Sequence, residues 1–400
     1  MPAGDNPILI AGAGIAGLTT ALAFSNRGYD VQIFERSYQF EEFGAGIQIS
    51  PNASRILLRL GVLDRLMSVA AEPGSVRLVD ARSDKQLGAM PLGSWAQMRW
   101  KAPYLVVHRA DLHTVLLDAV QEKNNVTIDL GAAATNFTSI DGSPALVANN
   151  IPSRPGMLAV AADGVWSNLR ASVRQEHSSR YSGSIAWRTL IGADMAQRVL
   201  GETSFGCVTT YLSPSLHLVA YPVRGGRLVN LVAVMKSDEI ARRWMIEADV
   251  LVLQTALENA GLGAIADVAT DWTAWPLHEV DWKDVWSVSD GLAMVGDAAH
   301  AMTPFAAQGA AMAIEDADEL ARCVDSSSDD IPAALQRYEH KRKPRVRRVV
   351  ARGRFNHFTW HASGPVATVR NLVLRARSGA NLMRDFDWLY GHDPDPDNSL

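Results

Sequence analysis

Residues 7–36 read PILIAGAGIAGLTTALAFSNRGYDVQIFER, and the order of residue types in this run decides the fold. Four apolar residues, Ile8 to Ala11, form a buried strand, and the glycine turn of GAGIAG follows at once. The spacing then predicts a helix from Ala16 to about Asn26, ended by Gly28, and a second strand over DVQIFE. Gly12 permits the turn, Gly14 lets the backbone approach a pyrophosphate, and Gly17 allows close helix–strand packing. Glu35 closes the second strand 23 positions after Gly12, with Arg36 beside it, and an acid there suits a ribose diol. Together these features read as a dinucleotide site, for NAD or for FAD.

Beyond this unit, NASRILLRLGVLDRLMSVA is one long helical pattern, and Ser75 to Met90 turns to short β-like segments. DLHTVLLDAVQEKN is helical, whereas VTIDLG and GMLAVAADG are strands, the latter apolar as a buried strand should be. From about Arg180 to Pro276 the chain is mostly β, with one helix near Asp249 to Ala260. A further buried strand, GLAMVGD, follows, and after residue 330 the chain is helical. The predicted fold is α/β: a doubly wound Rossmann-type domain with an inserted β-sheet substrate domain and C-terminal helices. Residues 1–74, 100–178 and 277–330 are assigned to the nucleotide-binding domain. Residues 75–99 and 179–276 go to the β-sheet domain, and 331–400 to the helical region.

The bulk numbers set limits. The 400 residues carry a net charge of -5, so no global electrostatic attraction draws the chain to nucleic acid or an anionic membrane. Two isolated cysteines, Cys207 and Cys323, suggest a reducing compartment and exclude a disulfide framework or a cysteine zinc site. No signal peptide and no membrane-spanning run is read, so a cytoplasmic location is expected. No metal site is expected. The run KRKPRVRRVVARGR, Lys341 to Arg354, is read as a solvated or dimer-facing helix, because valines recur at helical spacing between the basic residues. Trp272, Trp275, Trp282 and Trp286 are read as packing residues.

Two more motifs follow apolar strands. GMLAVAADGVWSNLR carries Asp163-Gly164, and GDAAHAMTPFAAQGAAMAIEDADELA, from residue 296 to 321, carries Gly296-Asp297. Small residues at a helix start mark the approach of something large and flat, or anionic, to the backbone. In the order GxGxxG, DG, GD, these motifs strongly resemble the FAD-dependent aromatic hydroxylases, the class A flavoprotein monooxygenases. The segments GAGIQISPNA and VVHRADLHTVL resemble further family segments, and the terminal DFDWLYGHD is similar to salicylate hydroxylase-like members.

The resemblance implies FAD as cofactor and NADH or NADPH as a transient electron donor, with no second Rossmann unit for it. It implies hydroxylation of a small, salicylate-like aromatic acid or phenol by O2 through a flavin C4a-hydroperoxide, with decarboxylation left open. By the same resemblance Asp297 holds the ribityl chain, Pro304 lies at the isoalloxazine edge, and Gly309 and Ala310 bring backbone N–H groups to the flavin. Arg109 is expected near the pyrophosphate or ribityl, its other reading being a surface pair with Asp111. Gly44, Ala45 and Gly46 are expected to form a loop over the flavin, with Gln48 toward the substrate. His300 is expected to be structural, bonding to backbone.

His217 and Tyr221, in SLHLVAYPVRGG, lie four apart and share one strand face. Segments of this form meet the substrate in 6-hydroxynicotinate 3-monooxygenase-like members, and His217 suits the base that deprotonates a phenol near neutral pH. In SIAWRTLIGA, alternation lets only one of Trp187 and Arg188 face the pocket, and Arg188 suits a substrate carboxylate. Gln48 departs from a histidine of the hydroxynicotinate enzymes, and Pro304 from a glutamine of the 3-hydroxybenzoate enzymes. A flavin oxidase or dehydrogenase on this scaffold, and a non-catalytic Rossmann-scaffold binding protein, are the two rival readings. The sequence leaves open the identity of the aromatic, the regiochemistry, the nicotinamide and whether the chain is a homodimer.

Overall fold

The computed structural model describes residues 6–40, 45–173, 179–201, 206–238 and 245–395. The strand Ile8–Ala11 pairs in parallel with Val31–Glu35 on one side and Leu158–Ala161 on the other. The sheet extends to Val126–Leu130 at one edge and to Leu292–Met294 and the antiparallel Ser287–Val288 at the other. Helix Ile15–Ser25 is almost wholly buried, which explains why it lacks a polar stripe. The hydroxyls of its buried Thr19 and Thr20 donate back to the carbonyls of Ile15 and Ala16, both at 2.7 Å, so neither is left unsatisfied.

A seven-stranded sheet lies beside this unit, in the order Thr273–Glu279, Arg180–Gly192, Leu228–Lys236, Leu216–Val223, Cys207–Leu212, Ser75–Asp80, Lys85–Pro91. Its strands come from two separate parts of the chain, joined where Cys207–Leu212 pairs in parallel with Ser75–Asp80. One face packs on helices Val250–Ala260 and Gly263–Val268 through a core that includes Leu218, Leu231, Leu253 and Leu257. The other face looks toward the nucleotide-binding unit.

Two sequence expectations change. The long helical pattern after residue 51 is two helices, Pro51–Arg59 and Leu63–Val69. Gly61 separates them at φ +77°, a left-handed conformation that glycine adopts without steric cost. The basic run is solvated on one side only, where Lys341, Arg347, Arg348 and Arg354 are exposed. It lies in the 30-residue helix Ile331–Trp360, where Arg342 and Arg345 turn inward onto the buried Glu315 and Asp316. Of the four tryptophans, Trp272 and Trp286 are buried in the two main cores and Trp282 packs against one of them, whereas Trp275 also borders the cavity described next. No helix among the described residues is long and apolar enough to cross a membrane, and Cys207 and Cys323 are both free thiols.

Candidate active site

A cavity of about 1030 Å³ runs between the two sheets and under the C-terminal helices. That volume lies at the upper end of what a single drug-sized ligand needs. On the nucleotide side, Gly14 lines it. A Cβ placed on Gly14 would meet no protein atom within 4 Å, so only a bound molecule competes for that space. Gly12 and Gly17 serve the turn itself. Gly12 sits at φ +99°, and a Cβ on Gly17 would come within 1.9 Å of the Gly12 carbonyl oxygen.

Glu35 and Arg36 lie off the cavity wall. Both Glu35 oxygens hold the loop, Oε2 accepting the Ala13 N–H at 2.8 Å and Oε1 the Ser37 N–H at 2.9 Å. Asp163 is likewise off the wall, whereas Gly164 borders it. Asp163 Oδ2 accepts the N–H groups of Asn168 and Leu169, which caps the turn that presents Gly164.

Asp297 opens into the cavity, as do Pro304, Gly309 and Ala310. Gly296 shapes the turn before it, at φ +59° with its N–H on Asp316 Oδ2 at 2.9 Å. Burial raises the Asp297 carboxyl above the usual range, and His300, Arg109 and Arg170 offset this only in part. Helix Gly309–Asp325 starts with Gly309 and Ala310 on the wall, so its unpaired N–H groups and positive dipole end face the same space. Arg109 is a wall residue rather than the partner of Asp111, which pairs instead with Arg224 at 3.5 Å. His300 is structural, but its partner is a carboxylate: Nε2 lies 2.6 Å from Asp316 Oδ2.

Opposite this wall, the strand Leu216–Val223 presents His217, Val219 and Tyr221 to the cavity, every second residue, as strand geometry requires. Gly46 approaches Tyr221 so closely that a Cβ would sit 2.4 Å from Tyr221 Cε2, and its N–H donates to Asn230 Oδ1 at 2.7 Å. Gly44 lies outside the described residues, while Gln48 borders the cavity and accepts from the Tyr104 hydroxyl at 2.5 Å. Burial pushes the Tyr221 phenol well above its usual range, against the nearby Arg188. Burial, with His361 and His357 nearby, holds His217 well below the usual histidine range, so it is neutral at pH 7.

The Trp187/Arg188 alternative resolves one way. Trp187 packs into the core on the far face of its sheet and does not touch the cavity, which corrects its assignment as a substrate residue. Arg188 borders the cavity, its guanidinium 5.2 Å from the Trp275 ring centroid. Its Nε is buried without a hydrogen-bond partner, and among the described residues no carboxylate pairs with it.

Arg170 and Tyr390 lie inside motifs read from the sequence, which assigned neither of them a role. Arg170 is buried and donates to the carbonyls of Ala298, Val165, Gly164 and Asp297, tying the DG turn to the GD turn. Tyr390, from the terminal DFDWLYGHD, packs edge-on against Tyr104 with centroids 5.9 Å apart. The helices after residue 350 close the cavity with Phe355, Trp360, Leu374 and Met383.

Residues 5–353 match the family described as FAD binding domain. The chain belongs to the FAD-dependent aromatic hydroxylases. It is 30% identical over 389 residues to a 3-hydroxybenzoate 6-hydroxylase of Polaromonas naphthalenivorans (strain CJ2), which covers 97% of this chain and 96% of that one. It is 32% identical over 391 residues to the 3-amino-4-hydroxybenzoate 2-monooxygenase of Streptomyces cremeus, at 97% and 95% coverage. A salicylate hydroxylase substrate complex has the same fold, with a TM-score of 0.80 at 24% identity over 98% of this chain and 97% of that one. This chain is therefore an FAD-dependent monooxygenase that draws its electrons from NADH or NADPH, and the oxidase and non-catalytic readings fall away. The residues present fit the cofactor: open space at Gly14, a carboxylate at Asp297, and the helix start at Gly309 all face one cavity.

Proposed function

We propose that the substrate is a small aromatic acid carrying both a carboxylate and a phenolic hydroxyl, and that the cavity is divided between cofactor and substrate as follows. Gly14, Gly164, Arg109, Asp297, Pro304, Gly309 and Ala310 contact FAD directly, while Gly12, Gly17, Gly296 and Asp163 shape the loops that carry them. Glu35 and Arg36 face the adenosine end, and Gly46 lies over the ring system. Gln48, Arg188, His217, Tyr221 and the edge of Pro304 meet the substrate. The same division makes residues 75–99 and 179–276 the substrate domain and residues 331–400 its helical cover. When bound, FAD takes electrons from the nicotinamide and activates O2, one atom of which enters the ring.

The observation that carries this reading is the pairing of Arg188 and His217 on one wall of one cavity. Arg188 is a desolvated guanidinium with no carboxylate paired to it among the described residues, and a planar substrate carboxylate fits its fork. His217 is a neutral imidazole, able to accept the proton of a phenol; the phenolate is the more electron-rich ring and reacts faster with an electrophilic oxygen. The relatives' names agree with this chemistry, since 3-hydroxybenzoate and 3-amino-4-hydroxybenzoate each carry both groups.

The test is a screen of hydroxybenzoates, aminohydroxybenzoates and benzoates without a hydroxyl for stimulated NADH or NADPH oxidation. Products are analysed after reaction under oxygen-18. Acids with a phenolic hydroxyl should give labelled product. Equal coupling by acids lacking the hydroxyl would reject the role given to His217, and equal coupling by phenols lacking the carboxylate would reject that of Arg188.

A further inference from the structure

We infer that His361 is a positioning residue for the reaction: it fixes the tautomer of His217 so that Nε2 is the bare nitrogen offered to the substrate. This rests on the reading of His217 as the proton acceptor. A backbone carbonyl can only accept a hydrogen bond. His361 Nδ1 lies 3.1 Å from the His357 backbone oxygen, so Nδ1 must carry the hydrogen. A neutral imidazole has one N–H, which leaves His361 Nε2 as an acceptor. That atom lies 3.2 Å from His217 Nδ1, so His217 Nδ1 must be the donor. The one hydrogen of His217 is thereby placed on Nδ1. Its Nε2 keeps a lone pair, is joined by no hydrogen bond among the described residues, and belongs to a side chain on the cavity wall.

Packing holds the arrangement. The His217 ring meets Trp360 at 4.9 Å and Phe305 at 5.4 Å between centroids, and Phe305 stacks on His357 at 4.3 Å. His361 caps the C-terminal end of helix Ile331–Trp360, so the helix that carries the basic run also reaches the catalytic wall. The charged and titratable groups facing this cluster are His357 on the same helix, Lys236 on strand Leu228–Lys236 and Glu279 on strand Thr273–Glu279. Burial holds His361 down to about 4, with His357 adding to the effect, so the chain of neutral rings persists through neutral pH.

The substrate O–H bond breaks, its electron pair stays on the phenolate oxygen, and the proton joins His217 Nε2. The resulting imidazolium strengthens its Nδ1–H bond to His361 into a charge-assisted one. His361 thus does for His217 one part of what a carboxylate does for the histidine of a catalytic triad: it orients the ring and fixes the tautomer.

The experiment compares His361→Phe, which keeps a ring in the packing but has no acceptor, with His361→Gln, whose Oε1 can take the same hydrogen. Both are prepared as FAD-loaded enzyme, with His217→Gln as reference. His361→Phe should retain FAD yet lose coupled hydroxylation by about 10–100-fold at neutral pH, the usual scale for a residue that orients a catalytic group. Part of the rate should return as pH rises toward ionisation of the phenol, and His361→Gln should recover most of it. Nitrogen-15 NMR of the resting enzymes should show His217 protonated at Nδ1 in the wild type and in His361→Gln, with the Nε2–H form growing in His361→Phe.

A wild-type His217 protonated at Nε2 would overturn the inference. So would a His361→Phe enzyme with wild-type rate and pH profile, or equal losses in both variants with an unchanged pH profile. A His217→Gln enzyme with a wild-type pH profile would instead remove the base itself, leaving the tautomer measured by NMR as a separate result.

Discussion

Arg342 Nε donates to Asp316 Oδ1 at 2.7 Å, and the same carboxylate's Oδ2 accepts the Gly296 N–H at 2.9 Å. A cation from the long C-terminal helix is thereby joined, through one buried carboxylate, to the turn that presents Asp297. Glu315 beside it is held by Arg342 and Arg345, and Arg345 also donates to the carbonyls of Trp388 and Leu389. The network connects the cofactor loop, the helix after it and the chain terminus.

Breaking a buried pair from one side leaves an uncompensated charge, which costs about 3–5 kcal/mol. Arg342→Met should therefore lower the urea midpoint by that equivalent and weaken FAD retention. The pH dependence has a definite sign. Burial raises Glu315 and Asp316, but Arg345 and Arg342 outweigh this at Glu315, and His300 and Arg342 at Asp316, so both carboxyls end below the usual range. Their contribution is thus present above the unfolded values near pH 4 and is lost as pH falls through the folded ones. Urea midpoints measured from pH 7 to pH 3 should drop steeply in the wild type and less steeply in Arg342→Met. Parallel curves would show that the network contributes nothing to the titration.

Gly14→Val should give a folded apoprotein. No protein atom stands within 4 Å of the new Cβ, so the fold tolerates it while the approaching pyrophosphate does not. Gly17→Ala is the contrast, because its Cβ would sit 1.9 Å from the Gly12 oxygen and the turn itself must move. Circular dichroism and the flavin absorbance of the purified proteins separate the two outcomes. Full FAD content in Gly14→Val would reject this loop as the site.

Asp297→Ala should lower FAD affinity by roughly one to two powers of ten, the effect of a charged hydrogen bond worth about 1.5–3 kcal/mol. The turn should survive, because Arg170 also holds the backbone carbonyl of Asp297. Fluorescence titration of the apoprotein with FAD measures the change, and wild-type affinity would reduce Asp297 to a turn residue.

Arg188→Met should weaken binding of carboxylate-bearing aromatics and leave their decarboxylated analogues nearly unaffected, read from the flavin spectrum during titration. Trp187→Leu should instead lower stability by about 3 kcal/mol, as large-to-small changes in a packed core do, with ligand affinity intact. The reverse pattern would put Trp187 at the substrate and Arg188 in a structural role.

The first sixty residues show what local sequence can settle. Ile8 to Ala11 had to be a doubly covered strand, because no polar residue interrupts it, and GAGIAG had to turn there, because only glycine takes the φ of Gly12. His217 and Tyr221 had to share a face by strand periodicity alone. The same logic reached only half of Lys341 to Arg354: helical spacing gives the solvated side with Arg347, Arg348 and Arg354, but not that Glu315 and Asp316 wait beneath Arg342 and Arg345 on the other. Burial of a cation depends on partners 26 to 30 residues away along the chain.

The sequence by itself determined the nucleotide-binding unit and the alternation of the strand that carries His217 and Tyr221, because each follows from residues within a few positions of one another; the FAD-dependent class came from the resemblance carried by three motifs spread from Gly12 to Asp297. Only the tertiary structure decided between Trp187 and Arg188, drew Arg170 across both motif loops, and brought His361 to His217 from 144 residues away. Those choices depend on which sheet face meets which helix. That is set by the sum of long-range packing, and no local pattern encodes it.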